Sequence, residues 1–364
     1  AADILREAAA LTTQIEGQVI PSNVPGNLAL GIRQGAGVVL SMAPWNAPLI
    51  LATRAIATPL ACGNTVILKG AELSPATQGL IIDALAGVVN YLTCTPADAP
   101  ALVESLIAHP AVRRINFTGS TPVGRIIART CGEHLKPAVL ELGGKAPLLV
   151  LDDADLEQAA AGAVFGAFAN AGQICMSTER IIVDAAVAEE FVALLARRAA
   201  ALPASLLGPV VEMKTVTRCN ALIEDALGAR LLTGGTSNST QMRATLLDGV
   251  TREMRIWHEE SFGPVKSIIR VQNEAEALAV ANESEYGLSS AIYSRDSARA
   301  WNLAQNLQTG ICHINGPTVH DEAQMPFGGC KSSGYGRFGG RAGIAEFTEL
   351  RWITLQTLPR ELPF

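Results

Sequence analysis

Gly37-Val-Val-Leu-Ser-Met42, then Pro44-Trp45-Asn46, an apolar run over 49–61, and Thr65-Val-Ile-Leu-Lys69 decide the fold. The first and last pieces are short, rich in branched residues and lack polar alternation, so they read as strands buried on both faces. The run between them is long enough for a helix. A strand–helix–strand unit of this kind implies a parallel pair. Working outward, Ser74-Pro75 opens another helix, with Ser at the N-cap and Pro at the first position. Runs at 88–92, 115–117 and 138–141 continue the sheet. A second α/β rhythm follows, with strands expected at 148–152, 180–184, 230–233, 265–271, 290–294 and 311–315. Helices are expected at 155–171, 186–201, 274–283 and 296–307. Residues 1–16 read as an amphipathic helix. The segment 17–35 holds Pro21, Pro25, Gly26 and Gly31 between apolar runs and reads as a hairpin. The tail over 349–356 alternates like an exposed strand, which needs a partner.

Composition narrows the function. The chain has 364 residues, enough for two domains; 49% are hydrophobic and 17% charged, a globular balance. A net charge of -6 and the lack of a Lys/Arg run argue against a nucleic-acid partner. The most apolar stretch, 159–169, is too short to span a bilayer. Seven cysteines, at 62, 94, 131, 175, 219, 312 and 330, show no C-x-x-C spacing, and five histidines form no H-x-x-x-H pair. Reduced thiols, a cytoplasmic location and no structural metal are therefore expected. The helical opening without a start Met leads us to expect a further N-terminal region before residue 1.

Two residues carry the chemistry. Cys175 follows Gly172-Gln173 and is a candidate nucleophile; Glu141, in Glu141-Leu142-Gly143-Gly144-Lys145, is a candidate base. Together they suggest covalent attack on a carbonyl followed by activated water. Either alone reads more plainly as a core thiol or a solvated strand end. For a nucleotide, the G-x-G-x-x-G fingerprint is absent. Phe117-Thr-Gly119-Ser120-Thr-Pro-Val-Gly124 instead follows a strand and opens a helix, where backbone N–H groups face a phosphate. Lys69 ends a strand, and Glu72 three residues on can accept from ribose hydroxyls. A carboxylate there repels a 2′-phosphate, so NAD is expected over NADP. The plain alternative is a Lys69–Glu72 surface pair.

These residues together resemble the aldehyde dehydrogenase family, in consistent order along the whole chain. The motifs are Pro44-Trp45-Asn46, Lys69-x-x-Glu72, Gly119-Ser120-Thr-x-x-Gly124, Glu141-Leu142-Gly143-Gly-Lys145, Gly172-Gln-x-Cys175, Glu260-x-Phe262-Gly-Pro264 and Pro326-Phe327-Gly-Gly329. The finer texture, in Gln173–Arg180, Arg113–Ser120 and Gly334–Arg337, is similar to the family's bacterial salicylaldehyde and vanillin dehydrogenases. The resemblance implies an α/β fold with three parts. A Rossmann-like NAD-binding domain would span 1–16 and 36–143 and lack its N-terminal portion. A catalytic α/β domain would span 144–345. The hairpin 17–35 and tail 346–364 would form an oligomerisation element, giving a homodimer or homotetramer.

The resemblance also implies roles. Cys175 attacks an aldehyde, with the Asn46 amide and the Cys175 N–H holding the oxyanion. Hydride passes to the nicotinamide, and Glu141 activates water against the thioester. Pro44, Trp45, Lys69, Glu72, Gly119, Ser120, Gly124, Leu142, Gly143, Glu260 and Phe262 border the dinucleotide. Ala47, Ile50, Arg54, Ala169, Ile174 and Phe327 line the substrate pocket, where the two alanines leave room for an aromatic ring. Arg54 either meets a ring hydroxyl or forms a structural ion pair. The expected reaction is oxidation of an aromatic aldehyde of salicylaldehyde, vanillin or benzaldehyde type. Alternatives are an aliphatic aldehyde substrate, a thioesterase without redox chemistry, or a catalytically impaired homologue. Three segments, 85–90, 201–209 and 225–228, run shorter than the family pattern.

Overall fold

The computed structural model describes residues 1–85 and 87–364; Ala86, inside the short segment 85–90, lies outside them. The chain divides into two compact units, one of 1–140, 322–327 and 336–364, the other of 141–321 and 328–335. The sequence reading set the boundary at 143/144 and ran the second domain through 345. Residues 322–327 and 336–345 fall instead in the first unit, and 141–143 in the second. Phe327 bridges to Phe338, and Phe338, Ile344 and Phe347 are buried in one cluster with Val39, Ile56 and Leu68. The hairpin and tail are part of that same unit.

In the first unit, Thr65–Lys69, Val38–Met42 and Val112–Thr118 lie side by side as parallel strands, with Val89–Leu92 beyond Thr65–Lys69. Ala138–Glu141 lies beside Val112–Thr118. The helix Pro48–Ala61 crosses between the first two strands and contains Pro59. Proline has no N–H, so the carbonyl four residues back loses its helical donor. That carbonyl belongs to Ala55, and it accepts instead from Ser41 Oγ at 2.8 Å and Asn116 Nδ2 at 2.8 Å. Two buried polar side chains on adjacent strands thus exist to satisfy a gap that a proline made. Asn64 closes the other end, its Nδ2 donating to Pro59 O and Phe347 O, both at 2.9 Å. The expected helix at Ser74 forms as Pro75–Ala84, but Ser74 makes no side-chain cap bond.

The hairpin is Gln18–Ile20 against Asn27–Gly35, and Asn27–Gly35 pairs antiparallel with the tail strand Thr348–Gln356 over nine residue pairs. Eight of the nine tail residues are exposed.

The second unit is built on a seven-stranded sheet in the order Arg230–Thr233, Thr245–Asp248, Val265–Val271, Thr178–Asp184, Ala146–Val150, Ser289–Tyr293, Ile311–Ile314. All neighbours are parallel except the antiparallel first pair. The helix Leu156–Phe168 covers it through Ala159, Ala160, Ala163 and Ala167, small residues that bring helix and sheet close. Helices at Ala99–Ala108, Met213–Asp225 and Gly340–Phe347 were not expected from sequence.

Candidate active site

Cys175 follows a short 3-10 turn, Ala169–Gly172, in which Asn170, Ala171 and Gly172 all adopt left-handed φ, at 51°, 55° and 72°. Asn and Gly tolerate that region; an alanine there stores strain of about 1 kcal/mol or more. The surroundings fix it. Gln173 donates from both N and Nε2 to Asn170 O, and its Oε1 accepts from Val211 N at 2.8 Å. A Cβ on Gly172 would strike Gly263 O at 2.3 Å. On the far side of Cys175, Thr318 Oγ1 donates to Met176 O at 2.7 Å. The thiol is therefore carried on a braced turn and is half-buried.

The segment Glu141–Gly144 passes beside this turn. A Cβ built on Gly144 would lie 2.4 Å from Cys175 O, and one built on Gly143 would lie 2.7 Å from Glu260 Oε2. The two glycines are needed for different neighbours: one admits the Cys175 carbonyl, the other the Glu260 carboxylate. Ser333, fully buried, anchors the segment: its Oγ donates to Gly143 O at 2.7 Å, and its carbonyl accepts from Leu142 N at 3.0 Å. Glu141 is buried at 2% exposure, which overturns the solvated-strand-end alternative. Leu142 is buried with it. Glu260 Oε1 accepts from Gly144 N at 2.9 Å, and burial pushes its carboxyl up to about 7. Phe262, two residues on, is half-buried with φ at 42°. The structure thus brings Gly143, Gly144, Cys175 and Glu260 together within one unit, with buried Glu141 at the start of the same segment. Ala169 and Ile174, both half-buried, precede Cys175 in sequence.

The other expected residues lie in the first unit. Pro44, Trp45 and Asn46 form a half-buried loop at the carboxyl end of Val38–Met42. Ala47 is the N-cap of the helix Pro48–Ala61, and Ile50 on its first turn is exposed. Gln78, which sequence reasoning missed, holds the loop: its Nε2 donates to Pro44 O at 3.0 Å and Ala43 O at 3.3 Å, and its Oε1 accepts from Ala71 N at 2.7 Å. Lys69 and Glu72 are joined as an ion pair at the carboxyl end of Thr65–Lys69, with Lys69 largely buried. Gly119 ends Val112–Thr118, exposed Ser120 is the N-cap of the helix Thr121–Glu133, and Gly124 is buried in that helix. A Cβ on Gly119 would meet the Phe117 ring at 2.3 Å, so ring packing already demands glycine there. Arg54 is buried with its guanidinium over the Phe327 ring. Phe327 exchanges backbone bonds with Phe338, both at 2.9 Å.

Three loops after three adjacent parallel strands, one bearing Lys69 and Glu72 and one starting a helix without a side-chain cap, make the donor and acceptor set a dinucleotide requires. The residues present fit that group.

The sequence pattern of the aldehyde dehydrogenase family matches residues 1–353. This chain belongs to that family. It is an NAD(P)-dependent aldehyde dehydrogenase, and it is similar to members named for aromatic substrates. It is 61% identical to the vanillin dehydrogenase of Pseudomonas fluorescens, over 100% of this chain and 78% of that protein. It is 48% identical to the salicylaldehyde dehydrogenase of Pseudomonas putida over the same shares. The crystal structure of the salicylaldehyde dehydrogenase from Pseudomonas putida G7, complexed with salicylaldehyde, superposes with a TM-score of 0.98, at 48% identity, covering 100% of this chain and 78% of that one. Among the described residues no helix is long and apolar enough to cross a membrane.

Proposed function

We propose that this aldehyde dehydrogenase oxidises an aromatic aldehyde of vanillin, salicylaldehyde or benzaldehyde type to its carboxylic acid, with NAD as acceptor. The packing of Gly144 against the Cys175 carbonyl carries the reading, because it puts the Glu141 segment beside the nucleophile. Cys175, as thiolate, adds to the aldehyde carbon, and its own N–H with the Asn46 amide receives the charge on oxygen. Bound NAD supplies the acceptor for the hydride that leaves the former aldehyde carbon. The carbonyl carbon is then a thioester on Cys175. Glu141 takes a proton from water, whose oxygen attacks the thioester; the acid departs and the thiolate returns. Lys69, Glu72, Gly119, Ser120, Gly124 and Glu260 would hold the dinucleotide, with Pro44, Trp45, Leu142, Gly143 and Phe262 around it.

The preference for NAD over NADP rests on the Glu72 carboxylate, which disfavours a 2′-phosphate. A relative named for NAD, the benzaldehyde dehydrogenase of Pseudomonas putida, is 41% identical. The small side chains of Ala47 and Ala169 support a flat ring as substrate, with Ile50, Arg54, Ile174 and Phe327 as further wall residues. The exposed nine-residue tail strand supports a homodimer or homotetramer in which it extends a neighbour's sheet. The absence of disulfides among the described residues is compatible with a cytoplasmic setting.

The test is NADH formation from NAD with vanillin, salicylaldehyde, benzaldehyde and short aliphatic aldehydes, with Cys175→Ala alongside. Cys175-dependent NADH with higher kcat/KM for the aromatic aldehydes is expected. Preference for the aliphatic ones overturns the substrate assignment, and equal rates with Cys175→Ala overturn the mechanism.

A further inference from the structure

Glu260 sits between two residues fixed by one buried carboxylate. Glu179 and the Lys145 and Lys266 side chains are at most 2% exposed. Glu179 Oε2 accepts from Lys145 Nζ at 2.8 Å and from Ser261 N at 3.0 Å. Its Oε1 accepts from Ser261 Oγ at 2.6 Å and Lys266 Nζ at 2.5 Å. Lys145 Nζ also donates to Glu259 O at 2.6 Å. The backbone on one side of Glu260 is thus tied through Lys145, and on the other directly through Ser261, to the same carboxylate. The neighbouring Glu259 carboxylate is turned away to Arg255, at 2.7 Å.

Such a cluster is costly. Each buried ion loses hydration worth several kcal/mol, and an apolar set of similar volume is often as stable. Its persistence calls for a use other than stability. Here it fixes a three-residue segment whose middle side chain points at Gly143 and Gly144.

We propose that Glu179 is a positioning residue for Glu260, holding the Glu259–Ser261 backbone so that the Glu260 carboxylate is set in place for the dinucleotide ribose. The proposal rests on the cofactor-binding reading of Glu260 given above. It adds a dependence of cofactor affinity on a residue that touches neither cofactor nor substrate.

The charge balance supplies a signature that a scaffold role alone lacks. Two ammonium groups face one carboxylate in the cluster. The charged groups facing Glu260 are Glu179 on Thr178–Asp184, Lys145 beside Gly144, and Lys266 on Val265–Val271. Burial raises the Glu260 carboxyl most; the Gly144 N–H and the two lysines lower it, and Glu179 raises it. Replacing Glu179 by the isosteric amide removes a raising charge and leaves both lysines, so the Glu260 titration moves to lower pH.

The experiment measures NAD affinity calorimetrically from pH 5.5 to 9, without aldehyde, for the wild type, Glu179→Gln, Ser261→Ala and Glu260→Gln. Steady-state KM for NAD and for aldehyde follows on the same proteins. Expected are roughly 10-fold weaker NAD binding in Glu179→Gln, a midpoint displaced about one unit to acid, and an unchanged aldehyde KM. Glu260→Gln should remove the midpoint altogether. Ser261→Ala keeps the three ions and loses the hydroxyl's bonds to Glu179, Lys266 and Gly263, so it should weaken NAD in the same direction; it decides the matter if Glu179→Gln does not fold. If Glu260→Gln weakens NAD while Glu179→Gln and Ser261→Ala leave affinity and midpoint unchanged, the positioning role is wrong and the reading of Glu260 stands. If Glu260→Gln leaves NAD affinity unchanged, the reading of Glu260 fails and the positioning role falls with it.

Discussion

The guanidinium carbon of Arg54 lies 4.4 Å from the centroid of the Phe327 ring. Both residues are buried, and Phe327 is fixed by its paired backbone bonds to Phe338. Sequence reasoning weighed a ring-hydroxyl contact against an ion pair for Arg54; the stacked aromatic face was in neither option. A desolvated cation on a ring face is worth about 2 kcal/mol. Arg54→Met and Phe327→Leu should each lower thermal stability, and the double variant should lose less than the sum, with a coupling of about 2 kcal/mol. Additive losses in a denaturant double-mutant cycle would show that the stack contributes nothing.

The glycines of the Glu141 segment make separable predictions. At Gly144 the intruding methyl meets backbone, the Cys175 carbonyl, so the nucleophile's turn must move. A misplacement of about 1 Å can cost roughly 100-fold in rate, so Gly144→Ala should lose kcat by that order while NAD still binds. At Gly143 the methyl meets the end of the Glu260 side chain, which can swing aside. Gly143→Ala should therefore raise the KM for NAD more than it lowers kcat. Steady-state kinetics on the pair read both effects; identical kcat losses would mean that the two glycines share one neighbour.

Much of this arrangement was legible in sequence, for identifiable reasons. The strands at 38–42 and 65–69 are apolar runs whose signal is local. Glu141 and Cys175 stand out because their chemistry needs particular residue types. The residues that hold them were not legible. Ser333 bonds to residues about 190 positions away, and Glu179 to residues more than 80 positions away. A buried serine or glutamate whose partners come from another part of the chain leaves no periodic trace. Gly340–Phe347 was hidden for another reason: it opens on glycine, with Gly339 and Gly340 both at positive φ, which is a turn signal.

Removing the base should separate the two halves of the reaction. Glu141→Gln keeps size and burial but cannot take a proton from water. Loss of a general base costs roughly 100- to 10,000-fold, and the loss should fall on thioester hydrolysis. We expect a burst of NADH equal to the enzyme concentration, then slow turnover. Intact-protein mass spectrometry should find the acyl group on Cys175. A burst-free progress curve with unmodified Cys175 would assign water activation to another residue.

The raised carboxyl of Glu260 makes stability fall as pH rises. Burial lifts it from 4.5 to about 7, against the pull of the Gly144 N–H. Between those values the folded protein holds a proton on Glu260 that the unfolded chain has released. The stability slope with pH follows protons bound unfolded minus protons bound folded, which is negative there. The contribution is therefore complete below about 4.5, declines through the interval, and is gone above about 7. Glu260→Gln removes this group's titration, so its melting temperature relative to wild type should climb between pH 5 and pH 8 and then level off. The side chain is partly exposed, so solvent screening reduces the size of the effect but not its sign. Melting curves of the two proteins at half-unit pH steps, without NAD, measure it directly. A difference that stays flat across that range would place the Glu260 carboxyl at its ordinary value, and the acid shift expected for Glu179→Gln would then have no group to act on.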